Sequence, residues 1–183
     1  KYEEERGQLV VLYGRRRVGK TETLREFCKG KPHVFFSCTQ CADKVQLGRF
    51  SKQLLKENIP AAQYISEFSD WEKAFRAILE LPYGDKKKLI IVDEFPYMCK
   101  GNAAIPSILQ NLWDEELKDS NVMIILCGSA MSFIEKELLA EKNPLYGRAT
   151  GIYKMREMGF YDACKFFPDY TAREKVVAYA VLG

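Results

Sequence analysis

One eight-residue segment near the amino end constrains this chain more than any other: Gly14-Arg15-Arg16-Arg17-Val18-Gly19-Lys20-Thr21. It fits the pattern G-x-x-x-x-G-K-[ST], in which a glycine-containing loop cradles phosphate groups. Residues 9–13 are apolar and precede the loop as a strand would, and residues 21–27 follow it as a helix would. A loop between a strand and a helix start points backbone N–H groups at an anion. The segment therefore predicts a binding site for a nucleoside triphosphate.

The residue types of this loop suit a triphosphate that carries a divalent cation. Gly14 and Gly19 permit main-chain angles and close approaches that a side chain would prevent. We expect Lys20 to reach the β- and γ-phosphates as a point charge and the Thr21 hydroxyl to bind Mg²⁺. The rest of the loop and the next residue are expected to line the nucleotide: Arg15, Arg16, Arg17, Val18 and Glu22. For the three arginines, contact with phosphates or acidic partners and a solvated basic loop remain open alternatives.

The composition is typical of one globular domain. The chain has 183 residues, of which 47% are hydrophobic, enough for a sizeable core and too many for a disordered tail. A net charge of +3 is too small to argue for nucleic-acid binding by itself. No apolar run approaches the ~20 residues of a membrane span, and no signal peptide is present, so no membrane partner is expected. Because the chain starts with Lys1 and stops in an apolar helical segment, we expect a fragment whose downstream domain is missing.

The six cysteines, at positions 28, 38, 41, 99, 127 and 164, have spacings that give no disulfide framework. Reduced thiols in a cytoplasmic protein are the expectation. Cys38 and Cys41 form a lone C-x-x-C near His33, and a structural zinc site would need a second ligand pair. Buried or half-buried thiols beside a strand end are therefore the favoured interpretation.

Apolar runs and helical stripes alternate along the chain. Four runs predict strands buried on both faces, at 8–13, 34–38, 89–92 and 122–127, and a weaker fifth candidate covers 150–155. Helical spacing is found between them, at 21–29, 47–55, 71–79, 105–118 and 129–139, with Ser69 or Asp70 as the N-cap of the third. This alternation predicts a parallel sheet with right-handed crossovers, and ligands bind at the carboxyl ends of such strands.

Two further segments at strand ends complete the expected site. Asp93 and Glu94 follow the run 89–92, where Asp93 is expected to hold Mg²⁺ opposite Thr21 and Glu94 to orient or deprotonate the attacking water. The alternative is a pair that caps a helix or faces solvent. Ser129 follows the fourth run as a sensor of the γ-phosphate, as the N-cap of the next helix, or as both.

Arg148 is the most open of the expected catalytic residues. It precedes the fifth strand candidate, and an arginine aimed at a γ-phosphate, its own or a neighbour's, accelerates hydrolysis. An ordinary salt bridge is the alternative. The neighbouring carboxylates Asp93 and Glu94 favour a hydrolytic enzyme over a small-molecule kinase, which has less use for a glutamate that activates water.

Several motifs together resemble the archaeal-type ATPases, P-loop proteins of the STAND branch near AAA+. They are the loop at 12–21, the Walker B-like segment Ile91-Val92-Asp93-Glu94-Phe95-Pro96-Tyr97, and the segments 126–133 and 145–148, with 110–114 also similar. The resemblance extends from residue 8 to about residue 183. It implies a three-layer αβα sandwich with strand order 5-1-4-3-2, binding of ATP and Mg²⁺, and ATP hydrolysis.

The same resemblance implies site roles and a domain division. Lys20 and Thr21 would contact phosphate and metal, Asp93 the metal, and Glu94 the water, with Ser129 as a sensor and Arg148 as an open candidate. Residues 1–158 would form the ATPase core and 159–183 the beginning of a helical lid. The Gly-Arg-Glu stretch that usually precedes the first strand, and the winged helix after the lid, are missing from this sequence. A DNA-associated protein that nucleotide only gates, and an assembly with further copies or a partner protein, remain alternatives.

Overall fold

Five strands form one parallel sheet in the computed structural model, which describes residues 2–182. The strands are β1 (Gln8–Tyr13), β2 (His33–Ser37), β3 (Lys88–Asp93), β4 (Val122–Gly128) and β5 (Gly151–Lys154). Their order across the sheet is β2-β3-β4-β1-β5, and every pairing is parallel. This is the expected order 5-1-4-3-2 read from the other edge, so the predicted topology is confirmed.

The burial of each strand follows its place in the sheet. Strands β3 and β4 lie inside the sheet, in register through Ile90 opposite Ile124, and β4 is buried along its whole length. The prediction of two buried faces is wrong for β2, where Phe35 is only half-buried and Ser37 is exposed. The reason is that β2 is an edge strand with one neighbour, and β5 at the opposite edge is likewise mostly exposed.

Helices cover both faces of the sheet and give the three-layer αβα sandwich that was expected. One face packs on α1, and the other carries the larger core beneath α2 to α5. The helices are α1 (Lys20–Cys28), α2 (Asp43–Leu55), α3 (Trp71–Arg76), α4 (Phe95–Gly101), α5 (Ile105–Glu115), α6 (Met131–Phe133), α7 (Phe160–Ala163) and α8 (Ala172–Leu182). In the described part of the chain, none of the helices has the length and apolar character needed to cross a lipid bilayer.

Two predicted helices differ from the expectation. The helix predicted over 71–79 starts as expected, with Asp70 accepting the Lys73 N–H at 2.8 Å, but it tightens into a 3₁₀ turn at Ala77–Glu80. The helix predicted over 129–139 begins at Met131 and continues as a π-helical turn over Ile134–Leu138. Ala130 occupies its N-cap, so the N-cap prediction for Ser129 is wrong, because that hydroxyl bonds elsewhere.

The segment after residue 158, expected to form the beginning of a helical lid, is helical. It contains α7, a 3₁₀ turn at Cys164–Phe166 and α8, and the rings of Phe160 and Tyr179 join α7 to α8 with centroids 5.4 Å apart. Val176 and Val177 on α8 are each 56% exposed. The division at residue 158 stays a prediction, and its outermost residues, 1 and 183, lie outside the described residues.

The aromatic cluster between α2, α3 and the sheet gives a stability prediction. Phe50 is fully buried, with ring centroids 5.2 Å from Phe36, 5.5 Å from Trp71 and 5.6 Å from Phe75. We expect Phe50→Ala to lower the free energy of unfolding by about 3–5 kcal/mol in urea denaturation, because it leaves a cavity among rigid rings. Tyr64→Ala, at a side chain 84% exposed, should change it by less than about 0.5 kcal/mol. Equal effects would contradict this view of the core.

Candidate functional site

The phosphate loop, which we define as residues 14–21, begins directly after β1. Its first position is so closely packed that only glycine fits there. Tyr13, the last residue of β1, lies between Gly128 of β4 and Lys154 of β5. A Cβ atom on Gly14 would lie 2.3 Å from the carbonyl oxygen of Met155. Main chain therefore packs directly on main chain at the start of the loop, and a side chain there would push the loop off the sheet.

The other end of the loop opens into the amino end of α1. Gly19 is the N-cap residue with φ 90°, a left-handed angle that glycine adopts without strain. The Gly19 carbonyl accepts the Thr23 N–H at 2.9 Å, the first bond of the helix. Among the described residues, no side chain caps α1. The first N–H groups of α1 lack partners within the helix and carry the positive end of its dipole, as an anion site requires.

Lys20 is buried inside the loop with neutral partners. Its ammonium is part of a residue only 6% exposed, and Nζ donates to the carbonyl oxygens of Gly14 at 2.9 Å and Arg15 at 2.7 Å. Within residues 2–182 no carboxylate forms an ion pair with it. A buried charge without a counter-charge is unfavourable, so the ammonium fits an anionic ligand that would supply one. The residues present thus suit a polyphosphate.

Thr21 and Asp93 meet although 72 positions separate them. The Thr21 hydroxyl donates to Asp93 Oδ2 at 2.9 Å, and the Glu94 N–H donates to Asp93 Oδ1 at 3.0 Å. Asp93 is 5% exposed, and both bonds hold its carboxylate in place. Hard oxygen donors of this kind suit Mg²⁺, which keeps most of its shell as water and phosphate oxygens. Among the described residues, no group of three or more His, Cys, Asp or Glu side chains could hold a metal ion.

Glu94 turns away from Asp93 and toward β4. Its backbone has φ 54°, a left-handed angle that is uncommon for a residue with a side chain and often marks functional sites. Its Oε2 accepts the Ser129 N–H at 3.3 Å and the Ser129 hydroxyl at 3.0 Å. The two carboxylates thus diverge, one to the loop and one to the end of β4. Their arrangement suits one metal-holding group and one group that can handle a water molecule.

The remaining residues of the loop point in different directions. Arg15 forms an ion pair with Glu157 at 3.1 Å, and Glu22 forms one with Arg25 at 2.7 Å. Val18 is buried, and Arg17 is exposed with φ 66°. Arg16 lines an open cleft of about 350 Å³. The other residues that line this cleft are Arg17, Gly19, Lys20, Thr21, Glu22, Glu94, Tyr97 and Ser129.

Tyr97 is the member of this cleft that sequence reasoning missed as a site residue. It lies one helical turn after Glu94, and its N–H donates to the Glu94 carbonyl at 2.9 Å. Its hydroxyl accepts a hydrogen bond from Arg16 Nη2 at 3.3 Å. Its position one turn beyond the Asp-Glu pair is the signal that places it at the same edge of the sheet.

Arg148 lies away from the phosphate loop. It precedes β5, and Thr150 donates to the carbonyl of Leu9, near the amino end of β1, whereas the loop leaves the carboxyl end. About five strand residues, or ~16 Å, separate Leu9 from the start of the phosphate loop at Gly14. The guanidinium binds Asp114, with Nη2 at 2.6 Å from Oδ2, and also the Pro144 carbonyl at 2.8 Å. The structure does not bring Arg148 to its own phosphate site, and contact with a neighbouring subunit's γ-phosphate stays a prediction.

The cysteines are free thiols in the structure. Cys38, Cys99 and Cys127 are buried, and burial raises the pKa of each thiol far above its usual value, with Asp93 adding to the effect at Cys127. Cys41 donates to Gln46 Oε1 at 3.2 Å, so the C-x-x-C pair lies at the end of β2 as one buried and one half-buried thiol.

The Arg148–Asp114 pair gives a pH-dependent prediction. Hydrogen bonds from Arg148, followed by its charge, lower the pKa of Asp114 against the opposing effect of burial. A lowered pKa stabilises the fold above the unfolded value, about 3.9, and this stabilisation is lost as pH falls through the folded value. We expect Asp114→Asn to lower the free energy of unfolding by less than about 1 kcal/mol at pH 7, since the pair is partly exposed, and by progressively less as pH falls below the unfolded value. Asp119→Asn is the control, and a difference that grows toward acid would contradict the assignment.

Comparison with known proteins agrees with this geometry. Residues 1–179 match the family described as an ATPase domain found predominantly in Archaea. The uncharacterised protein MJECL04 of Methanocaldococcus jannaschii is 31% identical over 172 residues, which cover 94% of this chain and 36% of that protein. The chain therefore spans little more than a third of this relative's length.

Solved structures share the fold at lower identity. The Walker-type ATPase PABY2304 of Pyrococcus abyssi superimposes with a TM-score of 0.65 at 20% identity, covering 93% of this chain and 57% of that one. The Drosophila ORC, in a structure bound to DNA, gives a TM-score of 0.65 at 15% identity, covering 91% of this chain and 42% of that one. With the family match extending over nearly the whole sequence, this chain belongs to the ATPase domains found predominantly in Archaea.

Proposed function

We propose that this chain is the ATP-binding, Mg²⁺-dependent ATP-hydrolysing module of a switch ATPase of the STAND and AAA+ type, coupled to a winged-helix or sensor domain. The observation that carries the proposal is the 2.9 Å bond between Thr21 and Asp93, beside a buried ammonium whose partners are neutral. An ammonium, a hydroxyl and a carboxylate, all at the carboxyl ends of the strands, are the groups that a magnesium–triphosphate complex needs.

The chain's own residues divide the work. Lys20 and the N–H groups at the start of α1 bind the phosphate oxygens, and Thr21 and Asp93 hold the metal, directly or through water. Bound Mg²⁺ would neutralise charge on the phosphates. Glu94 orients the attacking water and takes its proton, for which its carboxylate must leave the two donors of Ser129. Ser129, once free, offers the same donors to the γ-phosphate.

Two partner classes belong to the proposal. The Drosophila ORC, which shares this fold, is bound to DNA in its structure, and this supports contact between the longer protein and DNA through a region outside this sequence. The second class is a further copy or a partner protein, whose bound nucleotide Arg148 would contact after leaving Asp114. We place the protein in the cytoplasm, in line with its free thiols. Release of free phosphate rather than phosphorylation of a small acceptor separates this proposal from a kinase.

The experiment measures MgATP binding and phosphate release by the full-length protein. We expect Lys20→Ala to abolish turnover and to weaken ATP binding at least tenfold, because the buried ammonium is the main counter-charge for the phosphates. We expect Glu94→Gln to bind MgATP within about threefold of wild type and to hydrolyse it at least 100-fold more slowly, the usual contribution of a general base.

Matched controls remove the same charges elsewhere. Lys29→Ala takes an exposed lysine from the end of α1, and Glu141→Gln takes an exposed carboxylate from a surface turn. Both should retain wild-type turnover. Undiminished turnover in Lys20→Ala would refute the proposed site.

A further inference from the structure

Arg16 differs from Arg15 beside it, and from the distant Arg148, in what its guanidinium contacts. Arg15 is paired with Glu157, and Arg148 with Asp114. In the described chain Arg16 forms no ion pair, and its one side-chain hydrogen bond goes to a neutral phenol. Its full positive charge therefore remains available in the cleft that Lys20, Glu94 and Ser129 also line.

Tyr97 gives that guanidinium a defined position. The phenol oxygen lies 3.3 Å from Arg16 Nη2, and the tyrosine backbone is tied to the Glu94 carbonyl at 2.9 Å. The Lys100 ammonium lies 5.8 Å from the centroid of the Tyr97 ring. Arg17 also lines the cleft, but among residues 2–182 no side chain holds its guanidinium. Holding a charged group before reaction is what makes it effective at the transition state.

We propose that Arg16 acts in cis as the arginine that stabilises charge on the transferred γ-phosphoryl group, and that Tyr97 is its positioning residue. The inference rests on the proposed function and adds to it the source of this charge, which Arg148 of the same chain does not supply. Arg16 lies inside the loop and beside the proposed water-activating Glu94, so a short rearrangement brings its planar fork onto phosphoryl oxygens.

The proposed step balances without a further reactant. The oxygen of water bonds to the γ-phosphorus while the bond from that phosphorus to the β–γ bridging oxygen breaks. One proton of the water passes to Glu94, and ADP leaves with the electron pair of the broken bond. Arg16 forms no covalent bond and transfers no proton. Its proposed effect is electrostatic and acts on the charge that develops in the transition state.

The test compares variants of the full-length protein in kcat and KM for MgATP, with ADP affinity measured with and without aluminium fluoride. We expect Arg16→Ala to lower kcat about 1,000-fold or more, the low end for an activating arginine, while KM stays within about threefold. Arg16→Lys should recover little of the loss, because an ammonium lacks the planar fork. Wild type should bind ADP more tightly when fluoroaluminate is present, and Arg16→Ala should lose this gain.

Tyr97 is tested by a double-mutant cycle. We expect Tyr97→Phe to lower kcat about three- to tenfold in the wild-type background and to cause no further loss in Arg16→Ala, because its effect passes through that guanidinium. Lys100→Ala, which removes a nearby charge outside the cleft, should leave kcat unchanged and serves as the control. A merely structural role for Tyr97 would produce the same loss in both backgrounds and would overturn this part of the proposal.

The outcomes separate this inference from the proposed function. If wild type hydrolyses ATP and Arg16→Ala keeps its kcat and its response to fluoroaluminate, Arg16 is not the activating arginine. A loss confined to KM overturns the inference in the same way. If wild type binds neither ATP nor ADP, the proposed function fails and this inference fails with it. Unchanged thermal melting and unchanged ADP affinity without fluoride show that the loop of each variant is folded.

Discussion

The buried ammonium of Lys20 is the constraint on which the rest of the site depends. Placing a positive charge in a residue 6% exposed, with two carbonyl oxygens as partners, leaves it without a counter-charge in the described chain. Such an arrangement is unfavourable in an isolated domain and favourable once an anion arrives. The main chain likewise favours an anion here, because the first turn of α1 follows the left-handed Gly19 and has no side-chain cap for its N–H groups.

The parallel sheet converts distant sequence positions into one cluster. Strands β1, β4 and β3 are neighbours in that order, so their carboxyl ends lie side by side. Thr21 follows β1, Asp93 ends β3 and Ser129 follows β4, and each therefore reaches the same edge of the sheet. Glu94 bridges two of these strands through its bonds to Ser129. Close packing at Gly128, where a Cβ atom would lie 2.8 Å from Pro96, fixes the distance between β4 and α4.

Much of this was predictable because it depends on local pattern and on topology. The glycine loop, the parallel sheet and the meeting of Thr21 with Asp93 follow from an apolar strand pattern and a motif of fixed spacing, whereas the strand order came from the resemblance to archaeal-type ATPases. Separate roles for Asp93 and Glu94 were anticipated, but the bond from Ser129 to Glu94 depends on a left-handed backbone angle that residue type does not reveal. The alternative that Ser129 caps the next helix is wrong because its hydroxyl donates to Glu94, an acceptor outside that helix.

Arginine side chains were the least predictable part of the site. A guanidinium on a long flexible stem pairs with whatever carboxylate tertiary packing brings near, and sequence spacing does not specify that partner. Arg148 therefore pairs with Asp114 and Arg15 pairs with Glu157, and both carboxylates lie far along the chain from their arginines. Arg16 remained in the cleft because its neighbour was the phenol of Tyr97, a residue that contributes no charge.

The most direct test of the central claim is a crystal structure of the protein grown with Mn²⁺ and a non-hydrolysable ATP analogue, with the metal located by its anomalous signal. We expect one Mn²⁺ bonded to the Thr21 hydroxyl, at about the 2.0–2.2 Å typical of such ions, with Asp93 bound to it or to its water and the phosphates on Lys20. A metal and triphosphate bound elsewhere, with the Thr21–Asp93 bond intact, would contradict the claim.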